Sequence, residues 1–317
     1  MDPLVTIGIP TFNRADTLSR SIEQALSQTY TNIEIIIYDD GSSDDTYKVL
    51  SKFSSHNKIK IFSRENKGPP YPLNFIISES KGEFIVFFHD HDIFELNLVE
   101  QCINAFKKFD TASFVLFNDF DSYKNDFTNH SPLIELFDGK QDLLKELNNK
   151  KSFASKFHAC SMVKKNVYKE LGSFKTHFGF YSDVDFWHRA LLNGNYAFVS
   201  LPLITFTKRE DDHFLSKREI QVINSLFEIY SSTVNLIYPN INYLRKIKQK
   251  YFHELLKIVV SIISSRPERN YVNLINYDYL PTFFHYLFIR FLVSKPISTI
   301  LRPILFAVKN FLKRNNV

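Results

Sequence analysis

The chain has little of several things that would point to a function. Of its 317 residues only two are cysteine, Cys102 and Cys160, far apart in sequence. That is neither a disulfide framework nor metal-knuckle spacing, and it reads as two free thiols in a reducing compartment. There are eight glycines, and none falls in a GxGxxG or GxxxxGK pattern, which excludes the glycine-rich phosphate cradles of dinucleotide binders and P-loop enzymes. No internal repeat or low-complexity tract occurs. The longest apolar stretch, Leu280 to Val293, is 14 residues long and contains His285 and Arg290, too short and too polar to span a bilayer. The opening MDPLVTIGIP has no basic segment followed by an apolar one, so no secretory signal is read there. A cytoplasmic location is expected, with any membrane contact made from one side.

What the chain does have is apolar and aromatic mass. Hydrophobic residues make up 44% and aromatics 15%, with 32 Phe and 16 Tyr, ample for a sizeable core. The length fits one large domain with an appendage, or two domains. The net charge of +5 is unevenly spread, with much of the excess in the last hundred residues. No basic stripe interleaved with aromatics marks the first part, so nucleic acid is not an expected partner.

Local patterns alternate. VTIGIP at 5–10, IEIIIY at 33–38, KIKIF at 58–62, FIVFF at 84–88 and SFVLF at 113–117 read as buried strands. Between them, Leu18, Ile22, Ala25 and Leu26, then Val49, Leu50 and Phe53, then Leu73, Ile76 and Ile77, then Leu98, Val99, Cys102, Ile103 and Phe106 recur at helical spacing. Asn13 is the expected cap of the first helix, and Ser43 or Asp44 of the second. This alternation predicts βαβ units: an α/β fold with a mostly parallel sheet and helices on both faces. Ligands then bind outside the carboxyl ends of the strands. Two acidic clusters, YDDGSSDD at 38–45 and HDHD at 89–92, fall at such ends. FFHDHDIF sets two carboxylates and two imidazoles side by side after an apolar run, as a solvated turn or a divalent-metal site would. The two strand-end clusters facing one crevice favour the metal.

Beyond about residue 215 only helical patterns remain, opened by the capping-box spacing Ser216 to Glu219 and broken at prolines. The expected division is a domain over 1–215 and an all-helical C-terminal region over 216–317. In the latter, Ile297, Ile300, Leu301, Ile304, Leu305, Val308, Phe311 and Leu312 line one side, with Arg302, Lys309, Lys313 and Arg314 on the other. Two readings stand: a peripheral helix in a membrane interface, or a helix docked on protein, including a homo-oligomer partner.

VTIGIPTFNRADTLSRSIEQALSQTYTNIEIIIYDDGSSDDT at 5–46, NKGPPYPLN at 66–74, GEFIVFFHDHDIF at 82–94 and GSFKTHFGFYSDVDFWHRALLNG at 172–194 together resemble the inverting glycosyltransferases of family 2, which have the GT-A fold. The resemblance implies a nucleotide-sugar donor, a UDP-sugar by family habit, with thymidine and guanosine donors open, and a glycan or lipid-linked glycan acceptor at the inner face of the cell membrane. It implies that Pro10, Thr11, Phe12 and Asp39 hold the base, and that Asp40 and Ser42 shape the turn. It implies that HDHD takes the place of the family's DxD-type motif, with Asp90 at the donor diphosphate and Asp90, His91 and Asp92 holding a divalent metal, Mn²⁺ or Mg²⁺. His89 then lies beside the ligands, and His213 completes the set. Arg64 and Lys67 are candidates for the phosphates, as are Lys208 and Arg209, with Asn74 in a packing or polar contact. Asp183 falls where the family has its general base, Ser182 replaces the usual first acid, and Asp185 begins the following helix. Trp187 packs under a sugar or in the core. Two other classes compete. A sugar nucleotidyltransferase would open with a Gly-rich, Arg-containing loop, which IPTFNR lacks. A degenerate GT-A scaffold that binds carbohydrate without turnover is favoured by the HDHD and Ser182 departures and opposed by Asp39, Asp92 and Asp183.

Overall fold

A computed structural model describes residues 2–119, 134–148 and 160–207, with short helical pieces between 225 and 237. The chain divides into two compact units, Met1–Lys208 and Arg209–Val317. In the second unit the described residues are helical, with Ile229 and Thr233 buried one turn apart. His213, Lys208, Arg209 and the C-terminal amphipathic pattern lie outside the described residues. Among the described residues no helix is long and apolar enough to cross a membrane.

The first unit opens as the alternating pattern predicts. Strands β1 (Val5–Thr11), β2 (Ile33–Asp39), β3 (Ile59–Ser63) and β4 (Phe84–Phe87) alternate with helices α1 (Leu18–Leu26), α2 (Thr46–Phe53) and α3 (Tyr71–Glu79). The strands lie parallel in the order β3-β2-β1-β4. There follow β5 (Ile93–Phe94), α4 (Leu98–Lys108), β6 (Ala112–Asp119), β7 (Ile134–Asp138), α5 (Gly139–Asn148), β8 (Ser161–Lys164) and α6 (Lys165–Leu171). A 3-10 segment (Thr176–Tyr181), α7 (Ser182–Asn193) and β9 (Asn195–Thr205) complete the unit. Among the described residues the sheet has nine strands and is mixed. β8 lies antiparallel between β4 and β6, β9 is parallel to β6, and β7 and β5 pair antiparallel with β9 at its two ends.

The core follows the two-residue period of the strands. Val5, Ile7 and Ile9 of β1 and Ile33, Ile35 and Ile37 of β2 share one buried cluster with Leu18, Ile22 and Ala25 of α1, Val49 and Leu50 of α2, and Leu98, Val99 and Cys102 of α4. On the opposite face Tyr38 packs on Phe75 of α3 and Phe114 on Trp187 of α7. Every residue of β2 is buried, which is why IEIIIYD shows no polar alternation. Gly8 lets α3 approach: a Cβ there would stand 2.7 Å from Ile76 Cγ2 and 2.9 Å from the Phe87 ring. Gly8→Ala is therefore expected to cost about 1–3 kcal/mol by overpacking, read as a lower midpoint in urea unfolding with an unchanged slope.

Two local expectations fail: α2 starts from Asp45 without a side-chain cap rather than from Ser43 or Asp44, and the first helix also differs. Asn13 does not cap α1, which starts from Thr17 without a side-chain cap. Asn13 instead has φ +52, a left-handed conformation that asparagine tolerates. Its side-chain oxygen accepts from Ser43 N at 2.7 Å. The residue ties two loops together rather than starting a helix.

Candidate active site

The carboxyl ends of β1 and β2 carry turns that are stitched to each other. Asn13 N donates to Ser42 Oγ at 2.8 Å, Arg14 N to Thr46 Oγ1 at 3.1 Å, and Ala15 N to Asp44 Oδ2 at 3.1 Å. Burial pushes the Asp44 carboxyl up, but hydrogen bonds from Thr46 and Ala15 outweigh this and leave it below its ordinary value. Asp39 is buried and takes Ser42 N at 3.0 Å and the Ser42 hydroxyl at 2.5 Å, both on Oδ1. Among the described residues no donor reaches its other oxygen. Thr11 Oγ1, beside it in register, is also buried without a partner among the described residues. Two buried polar atoms at the mouth of the sheet are thus open to a ligand. Phe12, the next residue, is 46% exposed and not in the core. Asp40 shapes the neighbouring loop, accepting from Lys67 N and Gly68 N at 2.9 Å each.

The HDHD loop follows β4. Phe88 and Phe94 stack at 3.9 Å, both buried, and clamp the loop at its two ends. This accounts for the apolar flanks of FFHDHDIF. β5 pairs Ile93 with Thr205 and Phe94 with Ile204, which brings the end of β9 onto the loop. Thr207 N then donates to Asp92 Oδ1 at 3.0 Å and Thr207 Oγ1 to the His91 carbonyl at 2.8 Å. From below, Arg20 Nη2 donates to the same carbonyl at 2.6 Å and Ser21 Oγ to that of His89 at 3.3 Å. Asp92, 1% exposed, lies 3.1 Å from His89 Nδ1 and 3.6 Å from His91 Nε2. Burial pushes its carboxyl up, while the His89 hydrogen bond, the Thr207 N–H and the two imidazoles together hold it below the usual value. Asp90 faces His91 Nδ1 at 2.9 Å and Arg14 Nε at 4.0 Å. Candidate ligand atoms of His89, His91 and Asp92 all lie within 4.8 Å of one another, a donor set suited to a divalent ion. Asp90 stands outside that group.

Asp183 opens α7. Burial pushes its carboxyl up to about 6, against the lowering effect of the Val184 N–H and of the His89 charge. That electrostatic link puts Asp183 within range of the His89 charge. Beside Asp183, burial and then the Asp183 charge raise the Tyr181 hydroxyl. Asp185 does different work. It accepts from Lys175 Nζ at 2.9 Å and from Arg189 Nε and Nη2 at 2.8 and 2.7 Å. Arg189 also donates to the carbonyls of Leu171, Gly172 and Ser173. Neither acid caps α7 through its side chain. Asp185 fixes the incoming loop, whereas Asp183 accepts the N–H of Val184 at 2.8 Å.

Other expected residues fall in place unevenly. Asn74 forms a reciprocal pair with the Phe174 backbone, at 2.8 and 3.0 Å, and so holds the segment that leads to Asp183. Lys67 lays its ammonium over Tyr71, 4.3 Å from the ring centroid. Arg64 N donates to the Asp39 carbonyl at 3.1 Å. Neither cationic side chain contacts the HDHD loop among the described residues. Trp187 is core, 1% exposed against Phe114 and Phe186. Pro10 is the half-buried penultimate residue of β1. Sequence reasoning missed Arg14, Arg20 and Thr207. A cation just past β1, facing an acidic loop, could have flagged Arg14; nothing local marks the other two.

A family model described as glycosyl transferase family 2 matches residues 6–172. An uncharacterized glycosyltransferase of Rickettsia typhi is 30% identical over 191 residues, 60% of this chain and 59% of that protein. The chondroitin synthase of Escherichia coli is 36% identical over 107 residues, 33% of this chain and 16% of its own length. The chain thus spans less than two thirds of these curated relatives. Among solved structures, S. aureus TarS in complex with UDP superposes with a TM-score of 0.55 at 14% identity, covering 99% of this chain and 92% of that one. A mannosyltransferase from Pyrobaculum calidifontis in complex with GDP-Man and Mn²⁺ gives 0.55 at 15% identity, over 99% and 88%. At such identities the likeness is one of fold, and the fold is GT-A.

Proposed function

The chain belongs to glycosyl transferase family 2, and from that membership we propose that it is an inverting glycosyltransferase, moving a sugar from a nucleoside-diphosphate donor to a hydroxyl of a glycan or lipid-linked glycan. The acceptor is placed at the inner face of the cell membrane, and the donor is a UDP-sugar in the first instance. The observation that carries the reading is the Asp183 carboxyl, raised to about 6 by burial and within electrostatic reach of His89 of the HDHD loop.

Each residue then has a task. The free oxygen of Asp39 accepts an N–H of the base, the unpaired Thr11 hydroxyl takes a polar atom of the nucleoside, and exposed Phe12 offers a face for stacking. His89, His91 and Asp92 hold a divalent ion that neutralises charge on the departing diphosphate when bound. Arg14, next to Asp90, adds a fixed positive charge on the same side. Asp183 takes the proton from the acceptor hydroxyl. The acceptor oxygen so freed attacks the anomeric carbon as the bond to the diphosphate breaks, the electron pair leaves with that group, and the carbon inverts. A carboxylate with a conjugate acid near 6 is a stronger base than an ordinary one and still ionised at neutral pH.

Calorimetric titration of UDP, GDP and TDP into the full chain, with Mn²⁺, with Mg²⁺ and with chelator, tests the reading. Selective binding of UDP that weakens in chelator is the expected result. Binding of none of the three would move the protein to a carbohydrate-binding scaffold.

A further inference from the structure

The HDHD loop offers nitrogen where a chain with two acids in these positions would offer oxygen. His91 uses Nδ1 on Asp90 Oδ1, 2.9 Å away, which leaves Nε2 directed at Asp92, 3.6 Å from its Oδ1. A carboxylate on one imidazole nitrogen is the usual device for fixing the tautomer and direction of a metal-binding histidine. His89 Nδ1 lies 3.1 Å from the second oxygen of Asp92. Two ligands each about 2.1 Å from one ion stand about 3.0 Å apart in an octahedral site and about 3.4 Å apart in a tetrahedral one. The two separations run to different oxygens of Asp92, and one candidate ligand atom from each side chain lies within 4.8 Å of the others, so a bound ion would draw the three groups somewhat closer. The backbone is held as well: the His91 carbonyl by Arg20 and Thr207, the His89 carbonyl by Ser21. With Phe88 stacked on Phe94 beneath, the loop is built to keep this arrangement.

We propose that His89, His91 and Asp92 form a two-histidine, one-carboxylate site, with Asp90 as a positioning residue for His91, and that the site selects nitrogen-accepting divalent ions over Mg²⁺. The ion's task at the diphosphate rests on the glycosyltransferase reading, but the site itself does not. Mg²⁺ favours oxygen ligands in strict octahedral geometry and keeps its waters. Imidazole affinity rises from Mn²⁺ through Co²⁺, with Zn²⁺ also favoured. The exchange of Asp90 for His89 as a ligand sets the ordering Zn²⁺ and Co²⁺ above Mn²⁺, and Mn²⁺ above Mg²⁺.

The test uses the full chain, freed of any affinity histidines, stripped with chelator and titrated with Co²⁺, Zn²⁺, Mn²⁺ and Mg²⁺ in the absence of nucleotide. Heat and the visible absorption of Co²⁺ are the readouts. His89→Ala is expected to weaken Co²⁺ binding by about tenfold or more, and Asp90→Asn by about 10–100-fold while still leaving a visible Co²⁺ band. Circular dichroism checks that both variants are folded. Should His89→Ala bind as the parent does, should Mg²⁺ match Mn²⁺, or should no ion bind, the proposal is overturned. Nucleotide titration separates the two claims. Co²⁺ binding without any nucleotide binding sinks the transferase reading alone, and chelator-insensitive nucleotide binding with no Co²⁺ site sinks this one alone.

Discussion

Asp183→Asn is expected to lower sugar transfer by about 10²–10⁴-fold, the usual worth of a positioned general base, while nucleotide binding survives. Asn keeps the shape and can still accept the Val184 N–H through its oxygen, at 2.8 Å in the parent. It cannot take a proton. In the parent, kcat/KM should fall about tenfold per unit of pH below about 6, where the raised carboxyl becomes protonated. That limb should vanish from the residual activity of the variant. Stability should move the other way. Burial raises the folded value from an ordinary 3.8 to about 6, so the folded state binds the proton more tightly than the unfolded chain. Ionised Asp183 therefore weakens the fold above pH 6, and the penalty fades as pH drops from 6 toward 3.8. Asp183→Asn should raise the Tm at neutral pH and give no gain near pH 4. A Tm that fell at neutral pH would mark Asp183 as a structural acid and remove it from the mechanism.

That the two acids have different surroundings, Asp185 in ion pairs and Asp183 beside the Val184 N–H, was within reach of the sequence. Asp183 and Asp185 are two residues apart on a helix, about 200° around its axis, and cannot face the same way. Arg189 stands four residues after Asp185, the spacing at which such charges pair, and the structure shows that pair. The parallel strands and α1 to α4 were legible because their apolar residues keep a period of two or 3.6 against one core. β5, β7 and β8 were not. β5 has two residues, and β8 carries SMVK, too short to show a period. Each is fixed by a partner far away in sequence, as Ile93 is by Thr205. The same holds within the site. Asp39 and Asp183 stand out in the sequence through what the family resemblance implies for a strand end and for the start of a helix. Which two or three of four consecutive residues in HDHD point at one spot depends on a turn of backbone held by Arg20, Ser21 and Thr207, and no spacing rule carries that.

Asp92→Asn is the complementary variant, and it should lose what Asp183→Asn keeps. Its oxygen can still accept from Thr207 N, now 3.0 Å away, so the end of β9 stays docked. The negative charge that His89 and His91 face is gone, and with it the only carboxylate among the three candidate ligands. Transfer should drop by about 10²–10³-fold, the range seen when one preorganised group that stabilises developing charge is removed. The loss should appear first as weaker, chelator-insensitive nucleotide binding. The pH limb near 6 should persist in the residual activity, because it belongs to Asp183. The stability change should oppose that of Asp183→Asn. In the folded protein the charged form of Asp92 is favoured by its partners in spite of burial, so its carboxyl lies below the ordinary 3.8. Its contribution is complete above 3.8 and is lost only as pH falls through the lower folded value. Removing the charge should therefore lower the Tm at neutral pH, where removing that of Asp183 raises it. On the proposed reading the two carboxylates, one pushed up by burial and one held down by imidazoles, would serve opposite ends of the reaction: proton removal at the acceptor and charge neutralisation at the leaving group. If both variants lost nucleotide binding and both lost stability, that division of labour would be wrong.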